Sequence, residues 1–209
     1  MEKYKCIIFD LDGTVLNTER MNFIPLQRLI KEEIGMEILY EDLLKYKANA
    51  GKKTLEELGF KNIEKSYDKW VKYINEFEEE ALLYEGFEEV FKVLNDKNII
   101  CGVASSKTKA QYEIDFVSKG LDKYIKCEVL ADDTERHKPF PDPLLKVAEI
   151  LDINPKECIY IGDTVVDSIA TKAAGMDFGI ALWGADNLEG IEADYEFNKP
   201  MDILKFLDN

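Results

Sequence analysis

Five short apolar runs, at residues 6–9, 99–104, 127–130, 158–161 and 178–182, recur along the chain with helical patterns between them. Runs this short and this uniformly apolar predict strands buried on both faces. Phe87, Val90, Phe91 and Leu94, spaced by three or one, lie on one face of a helix between the first two runs. The alternation of run and helix predicts an α/β fold, a Rossmann-like, doubly wound parallel sheet covered by helices.

Residues 17–83 do not follow this rhythm. They hold no convincing strand, while Ile63, Tyr67, Trp70, Ile74, Phe77 and Ala81 are spaced by three or four and predict one long helix. Gly35 and Gly59 read as helix ends, and Pro25 falls early in the first helix, where it kinks it or starts its regular part. An all-helical insertion is therefore expected at 17–83, within a core built from residues 1–16 and 84–209. A chain of 209 residues is long for one domain of roughly 100 to 150 residues, which agrees with two unequal units.

A formal charge of −15 opposes binding to nucleic acid or to an anionic membrane face, both of which recruit cationic patches. No stretch approaches the ~18 apolar residues that span a bilayer, and the start MEKYKCIIFD lacks the long apolar region of a signal peptide, so a cytoplasmic protein is expected. Cys6, Cys101, Cys127 and Cys158 each sit in or beside an apolar run without a C-x-x-C pair, the pattern of buried reduced thiols. A small soluble ligand is the expected partner, and the choice between monomer and dimer stays open.

In an open parallel sheet, ligands sit beyond the carboxyl ends of the strands. The first run leads into Asp10, Leu11, Asp12, Gly13 and Thr14, and the second into Ser105, Ser106 and Lys107. HKPFPDP after the third carries Lys138, and the fourth continues into IGDTVVD with Asp163 and Asp167. Two carboxylates about 4 Å apart repel by ~4 kcal/mol at an effective dielectric near 20, so converging acids require a cation. All-oxygen donors select a hard ion, Mg²⁺ ahead of Ca²⁺.

A carboxylate that shares such an ion with a phosphate ester is placed for attack on phosphorus, and Asp10 is that candidate. Asp12, two residues on, points to the same side and can move the proton of the leaving oxygen, while its backbone carbonyl can also meet the metal. Ser105, with Ser106 beside it, and Lys138 suit the phosphoryl oxygens, as do the backbone N–H groups of Leu11, Gly13 and Thr14 if they form an anion-binding concavity. Asp163 completes the metal site, and Asp167 steers its waters or caps the following helix.

DLDGT, the serine after the second run, KPFPDP and GDTVVD resemble, in order, the four motifs of the haloacid dehalogenase (HAD) superfamily of phosphohydrolases. The resemblance spans essentially the whole chain, with 17–83 similar to the helical cap of that superfamily. LYEGFEEV, ASSK and IGDTVVDSIATKAAGM are most similar to its phosphoglycolate phosphatase-like branch. It implies a HAD-like fold and a phosphoaspartate enzyme with Asp10 as nucleophile and Asp12 as acid and base. It also implies Ser105 and Lys138 on phosphate, and Mg²⁺ on Asp10, Asp163 and the Asp12 carbonyl. Asn17 stands where relatives usually carry an acid, beyond the catalytic turn.

Plainer roles compete at several positions. KPFPDP apart from Lys138 reads as a rigid turn capped by Asp142, and His137 as a loop residue. Trp183 and Gly184 read as packing after the last run. Asn49, Lys52, Lys53 and Arg20 fall where relatives touch the leaving group, but a lysine pair opening a helix is ordinarily solvated surface. Asp12 argues against a dehalogenase or a phosphonate hydrolase. A sugar phosphomutase similar to β-phosphoglucomutase and a pyrophosphatase remain alternatives on the same fold, and a non-catalytic binding protein should have lost a carboxylate that is present here.

Overall fold

The computed structural model describes residues 4–47, 49, 51–77, 80–185 and 187–207. It divides the chain into two compact units, Met1–Asn17 with Leu82–Asn209, and Thr18–Ala81. Along the chain run strands β1 (Cys6–Phe9) and β2 (Leu16–Asn17), then helices α1 (Glu19–Glu33), α2 (Tyr40–Leu43), α3 (Gly51–Glu57) and α4 (Ile63–Asn75). Next come β3 (Leu82–Leu83), α5 (Phe87–Asp96), β4 (Ile100–Ala104), α6 (Lys109–Asp115), β5 (Ile125–Val129) and α7 (Asp142–Leu151). The chain continues through β6 (Cys158–Gly162), α8 (Val165–Ala174), β7 (Asp177–Ala181), β8 (Tyr195–Phe197) and α9 (Asp202–Leu207).

The larger unit is a six-stranded parallel sheet in the order β5-β4-β1-β6-β7-β8. Successive side chains of a strand point to opposite faces, and both faces are covered. Cys6, Ile8, Val129, Cys158, Tyr160 and Phe178 pack on one side with Leu144 and Val147 of α7 and Ala170 of α8. On the other side the Phe9 ring meets Phe87 and Phe91 of α5, with centroids 5.9 and 5.2 Å away. Fully burying an aromatic or branched side chain of this kind contributes about 1.5–3 kcal/mol, which is why the apolar runs become central strands. All four cysteines are free and buried.

The five apolar runs all become strands, and the periodicity fails only at the margins. β8 is a three-residue edge strand with exposed Glu196, too short and too polar to register as a run. β5 begins two residues before its run because Lys126 faces solvent at the other sheet edge. The expected insertion at 17–83 is also too wide. Asn17, Leu82 and Leu83 belong to the sheet unit, where Leu16 pairs with Leu83 and Asn17 with Leu82 in a two-stranded antiparallel ribbon.

The smaller unit contains helices α1–α4, and no strand occurs among its described residues. α1 buries Met21, Phe23, Leu26, Leu29 and Ile30, and runs through Pro25 without ending there. α4 starts at Asn62, whose side chain accepts from the Lys65 N–H, and buries Trp70, Tyr73 and Ile74. It ends at Asn75, so Phe77 and Ala81 lie outside the long helix that their spacing predicts. Neither glycine nor proline marks that end, and periodicity alone does not detect it.

β1 lies between β4 and β6, and the chain turns to β4 on one side before crossing to β6 on the other. This is the switch point at which α/β sheets open a crevice. Phe9 is level with both Val103 and Ile161, so Asp10, Ser105 and Asp163 emerge together at that end. Among the described residues, no helix is long and apolar enough to cross a membrane.

Candidate active site

Asp10 follows β1 directly, and its N–H donates to the Ile161 carbonyl at 2.9 Å, which keeps it on the sheet. The chain then turns sharply. The Leu11 carbonyl accepts from the N–H groups of Thr14, Val15 and Leu16 at 3.2, 2.9 and 2.8 Å, and the Gly13 N–H donates to Leu16 at 2.8 Å. Gly13 has φ +79°, and a Cβ there would lie 2.2 Å from Asp163 Oδ2, so both the turn and the neighbouring carboxylate require glycine.

Asp163 follows β6 and accepts from Thr14 Oγ1 at 2.9 Å. Oxygens of Asp10, Asp163 and Asp167, all buried, lie within 4.8 Å of one another. Lys138 sits among these acids with its side chain 5% exposed, and its Nζ is 2.9 Å from Asp10 Oδ2 and 2.7 Å from Asp167 Oδ1. The same ammonium donates to Tyr160 Oη at 2.9 Å, and that hydroxyl donates to the Ala104 carbonyl at 2.9 Å.

Asp167 takes the expected place at the start of α8 and has a second task, on Lys138, that the sequence does not announce. Its Oδ2 accepts from the N–H and Oγ1 of Thr164 at 3.0 and 2.5 Å, capping α8, while its Oδ1 holds Lys138. On the other side of the turn, Asp12 Oδ1 is 3.0 Å from Lys107 Nζ, and Lys107 also meets Asp115 Oδ2 at 2.5 Å. Ser105 is buried, its N–H donates to Val129 at 3.0 Å, and its Oγ accepts from the Lys107 N–H at 3.4 Å.

Burial pushes the Asp10 carboxyl up to about 7, with Lys138 pulling it back and Asp167 and Asp12 adding to the rise. Burial alone would lower the Lys138 ammonium, yet Asp10 and Asp167 hold it well above its ordinary value. Two buried lysines therefore face five carboxylates, Asp10, Asp12, Asp115, Asp163 and Asp167. An all-oxygen, buried and anionic donor set of this kind fits a hard divalent cation.

Several sequence expectations are corrected. The N–H groups of Gly13 and Thr14 close the turn itself, and that of Leu11 donates to Asp10 Oδ1 at 2.8 Å, so these three do not form the expected open concavity. Asp142 opens α7 without capping it, because its Oδ1 accepts from Arg136 Nε at 2.9 Å. Ser106 is exposed beside Ser105, whereas His137 is the exposed loop residue that the sequence leads one to expect. In the helical unit, Lys52 pairs with Glu64 at 2.7 Å, Lys53 with Glu57 at 3.8 Å, and Asn49 Nδ2 donates to Glu57 at 3.0 Å. Arg20 is exposed on that unit's surface.

Sequence reasoning assigned no task to Tyr160, Lys107 or Asp115. Tyr160 lies inside an apolar run, where its hydroxyl was the one available signal. Trp183 does more than pack, since its Nε1 donates to the Thr14 carbonyl at 2.8 Å while its ring meets Phe87 at 6.0 Å. A Cβ on Gly184 would lie 1.7 Å from the Gly13 carbonyl oxygen. Gly184→Ala is therefore expected to displace the turn, lowering stability by about 1–3 kcal/mol as read by thermal melting.

A family model described as "Haloacid dehalogenase-like hydrolase" matches residues 7–181, most of the chain. The chain belongs to the haloacid dehalogenase-like hydrolases. As a member of that family it is an enzyme of the hydrolase class. A pyrophosphatase PpaX of Bacillus cereus is 26% identical over 97% of this hydrolase and 96% of its own length. A phosphoglycolate phosphatase of Aquifex aeolicus is 29% identical over 98% and 97%. A crystal structure from Lactobacillus plantarum, provisionally described as a phosphoglycolate phosphatase, superimposes with TM-score 0.91 at 26% identity, covering 97% of this chain and 99% of that one. The haloacid dehalogenase-like fold is thus shared along nearly the full length.

Proposed function

We propose that this hydrolase is a Mg²⁺-dependent phosphatase that takes the phosphoryl group of a small soluble phosphate ester onto Asp10 and then hydrolyses the aspartyl phosphate. The observation that carries this reading is Asp10 at the sheet's switch point, 2.9 Å from Lys138 Nζ and clustered with Asp163 and Asp167.

In the first step an oxygen of Asp10 attacks phosphorus, the bond to the leaving oxygen breaks, and Asp12 hands that oxygen its proton. In the second, water attacks the phosphorus of the aspartyl phosphate, Asp12 takes a proton from it, and the bond to Asp10 breaks to release inorganic phosphate. Lys138 and the Ser105 hydroxyl meet the peripheral phosphoryl oxygens, where negative charge spreads during transfer. Asp167 and Tyr160 hold Lys138 in place, and Thr14 holds Asp163. Asp10, Asp163 and the Asp12 backbone carbonyl are the groups that would hold Mg²⁺, which when bound would neutralise the phosphate and the acids around it.

The names of the two curated relatives support a phosphate substrate and leave two classes, a phosphorylated small acid such as phosphoglycolate and pyrophosphate. The helical unit is assigned the role of a specificity cap, with Asn49, Lys52, Lys53 and Arg20 as its polar surface. The charge of −15 supports a small-molecule partner over nucleic acid or an anionic membrane face.

A panel of phosphoglycolate, pyrophosphate, sugar phosphates, nucleotides and an aryl phosphate tests the reading. Phosphate release in Mg²⁺ is expected for at least one member, with a fall of about 100-fold or more on chelation. Equal turnover in EDTA, or none on any ester, refutes it. Conversion of one sugar phosphate isomer to another without phosphate release would support the mutase instead.

A further inference from the structure

We infer that Lys107 is a positioning residue for Asp12, and that Asp115 in turn fixes Lys107. The inference rests on the proposed proton-transfer role of Asp12. The side chain of Lys107 is 5% exposed, and its ammonium sits between Asp12 Oδ1 at 3.0 Å and Asp115 Oδ2 at 2.5 Å. Its backbone is tied down as well, since its carbonyl accepts from the Ala131 N–H at 2.9 Å and its N–H donates to Ser105 Oγ.

A lysine buried to this degree needs one anion to be tolerated, and Asp115, itself 5% exposed at the end of α6, supplies it. The contact with Asp12 is a further one, and it distinguishes this trio from a plain structural ion pair. The Asp12 side chain is 36% exposed, so packing alone does not select its rotamer. The ammonium does so by direction and charge.

The arrangement also repeats what surrounds Asp10. Each acid of the Asp10-Leu11-Asp12 step has its own buried lysine, and each lysine its own second aspartate: Lys138 with Asp167, and Lys107 with Asp115. One clamp serves the attacking carboxylate and the other serves the proton carrier. A proton carrier displaced by about 1 Å loses on the order of 10²-fold in rate, so such a clamp has a measurable effect.

The test compares kcat/KM, which reports the first transfer alone, for phosphate esters of rising leaving-group pKa. p-Nitrophenyl phosphate needs little protonation and an alkyl phosphate needs it fully. Lys107→Met is expected to lose about 100-fold on the alkyl ester and less than about fivefold on p-nitrophenyl phosphate, with KM within about twofold and partial recovery in Lys107→Arg. Because Lys107→Met leaves Asp115 buried without its cation, the double variant Lys107→Met/Asp115→Asn removes both charges, and the same dependence on leaving group is expected there.

Asp12→Ala separates the two ideas. A leaving-group dependence in Asp12→Ala but in neither Lys107 variant overturns the positioning role and leaves the proposed chemistry standing. An unaffected Asp12→Ala enzyme overturns the proton-transfer reading itself. A uniform loss across all esters in the Lys107 variants makes Lys107 purely structural and refutes the inference.

Discussion

Asp10→Asn should abolish phosphate release, by at least about 10⁴-fold, while raising the melting temperature of the metal-free protein. The amide cannot form the aspartyl phosphate, which accounts for the first effect. The second follows from burial. The fold lifts the Asp10 carboxyl from an ordinary 3.8 to about 7, so ionising it is harder in the folded chain than in the unfolded one. Stability from this group is therefore greatest at low pH and is lost as pH rises from about 4 to about 7. At about 1.4 kcal/mol per tenfold change in proton affinity, the interval amounts to on the order of 4 kcal/mol at pH 8.

A neutral amide of the same shape does not incur that loss. Melting of parent and variant in EDTA at pH 8 should differ by several degrees in favour of the variant, and the gap should close as the pH is lowered towards 4. A variant that melts lower at pH 8, or one that still releases phosphate at the parent rate, contradicts this account of the site.

Lys138→Met acts in the opposite direction on stability. It leaves Asp10 and Asp167 buried without the ammonium that lies 2.9 and 2.7 Å from them. Breaking a buried ion pair from one side typically costs about 3–5 kcal/mol, which for a chain of this size is a fall of roughly 10 °C in melting temperature near neutral pH. The deficit should shrink as pH falls below the Asp10 midpoint of about 7, because a protonated Asp10 no longer needs the cation. Combining Lys138→Met with Asp10→Asn should restore part of the stability at pH 8. Turnover of Lys138→Met should drop by about 10²–10³-fold, the typical loss when one preorganised donor to developing charge is removed. A variant as stable as the parent at every pH would show that the ammonium does not hold these acids.

The two substitutions together test whether the site is built against its own stability. Asp10 is held where its charged form is disfavoured, and Lys138 offsets only part of that cost. A divalent cation at the same acids offsets more, so Mg²⁺ in place of EDTA should stabilise the parent and have little effect on Asp10→Asn.

Sequence alone determined five of the sheet's six strands and the residues at their carboxyl ends. Apolar runs of four to six residues have few alternatives to buried parallel strands, and the side chains after Phe9, Ala104 and Ile161 must emerge at one edge once those strands pair. Asp10, Ser105 and Asp163 were legible for that reason. Tertiary structure decided what fills the space between them. That Lys107 faces Asp12 and Asp115 while Lys138 faces Asp10, Asp167 and Tyr160 depends on loop paths and rotamers that no periodicity encodes. The N–H groups of Gly13 and Thr14 likewise turned inward because the turn must satisfy its own backbone before it can offer donors to a ligand. Local pattern reports which face a residue takes, whereas contacts between segments more than a hundred residues apart, such as Trp183 on the Thr14 carbonyl, exist only after the chain has closed.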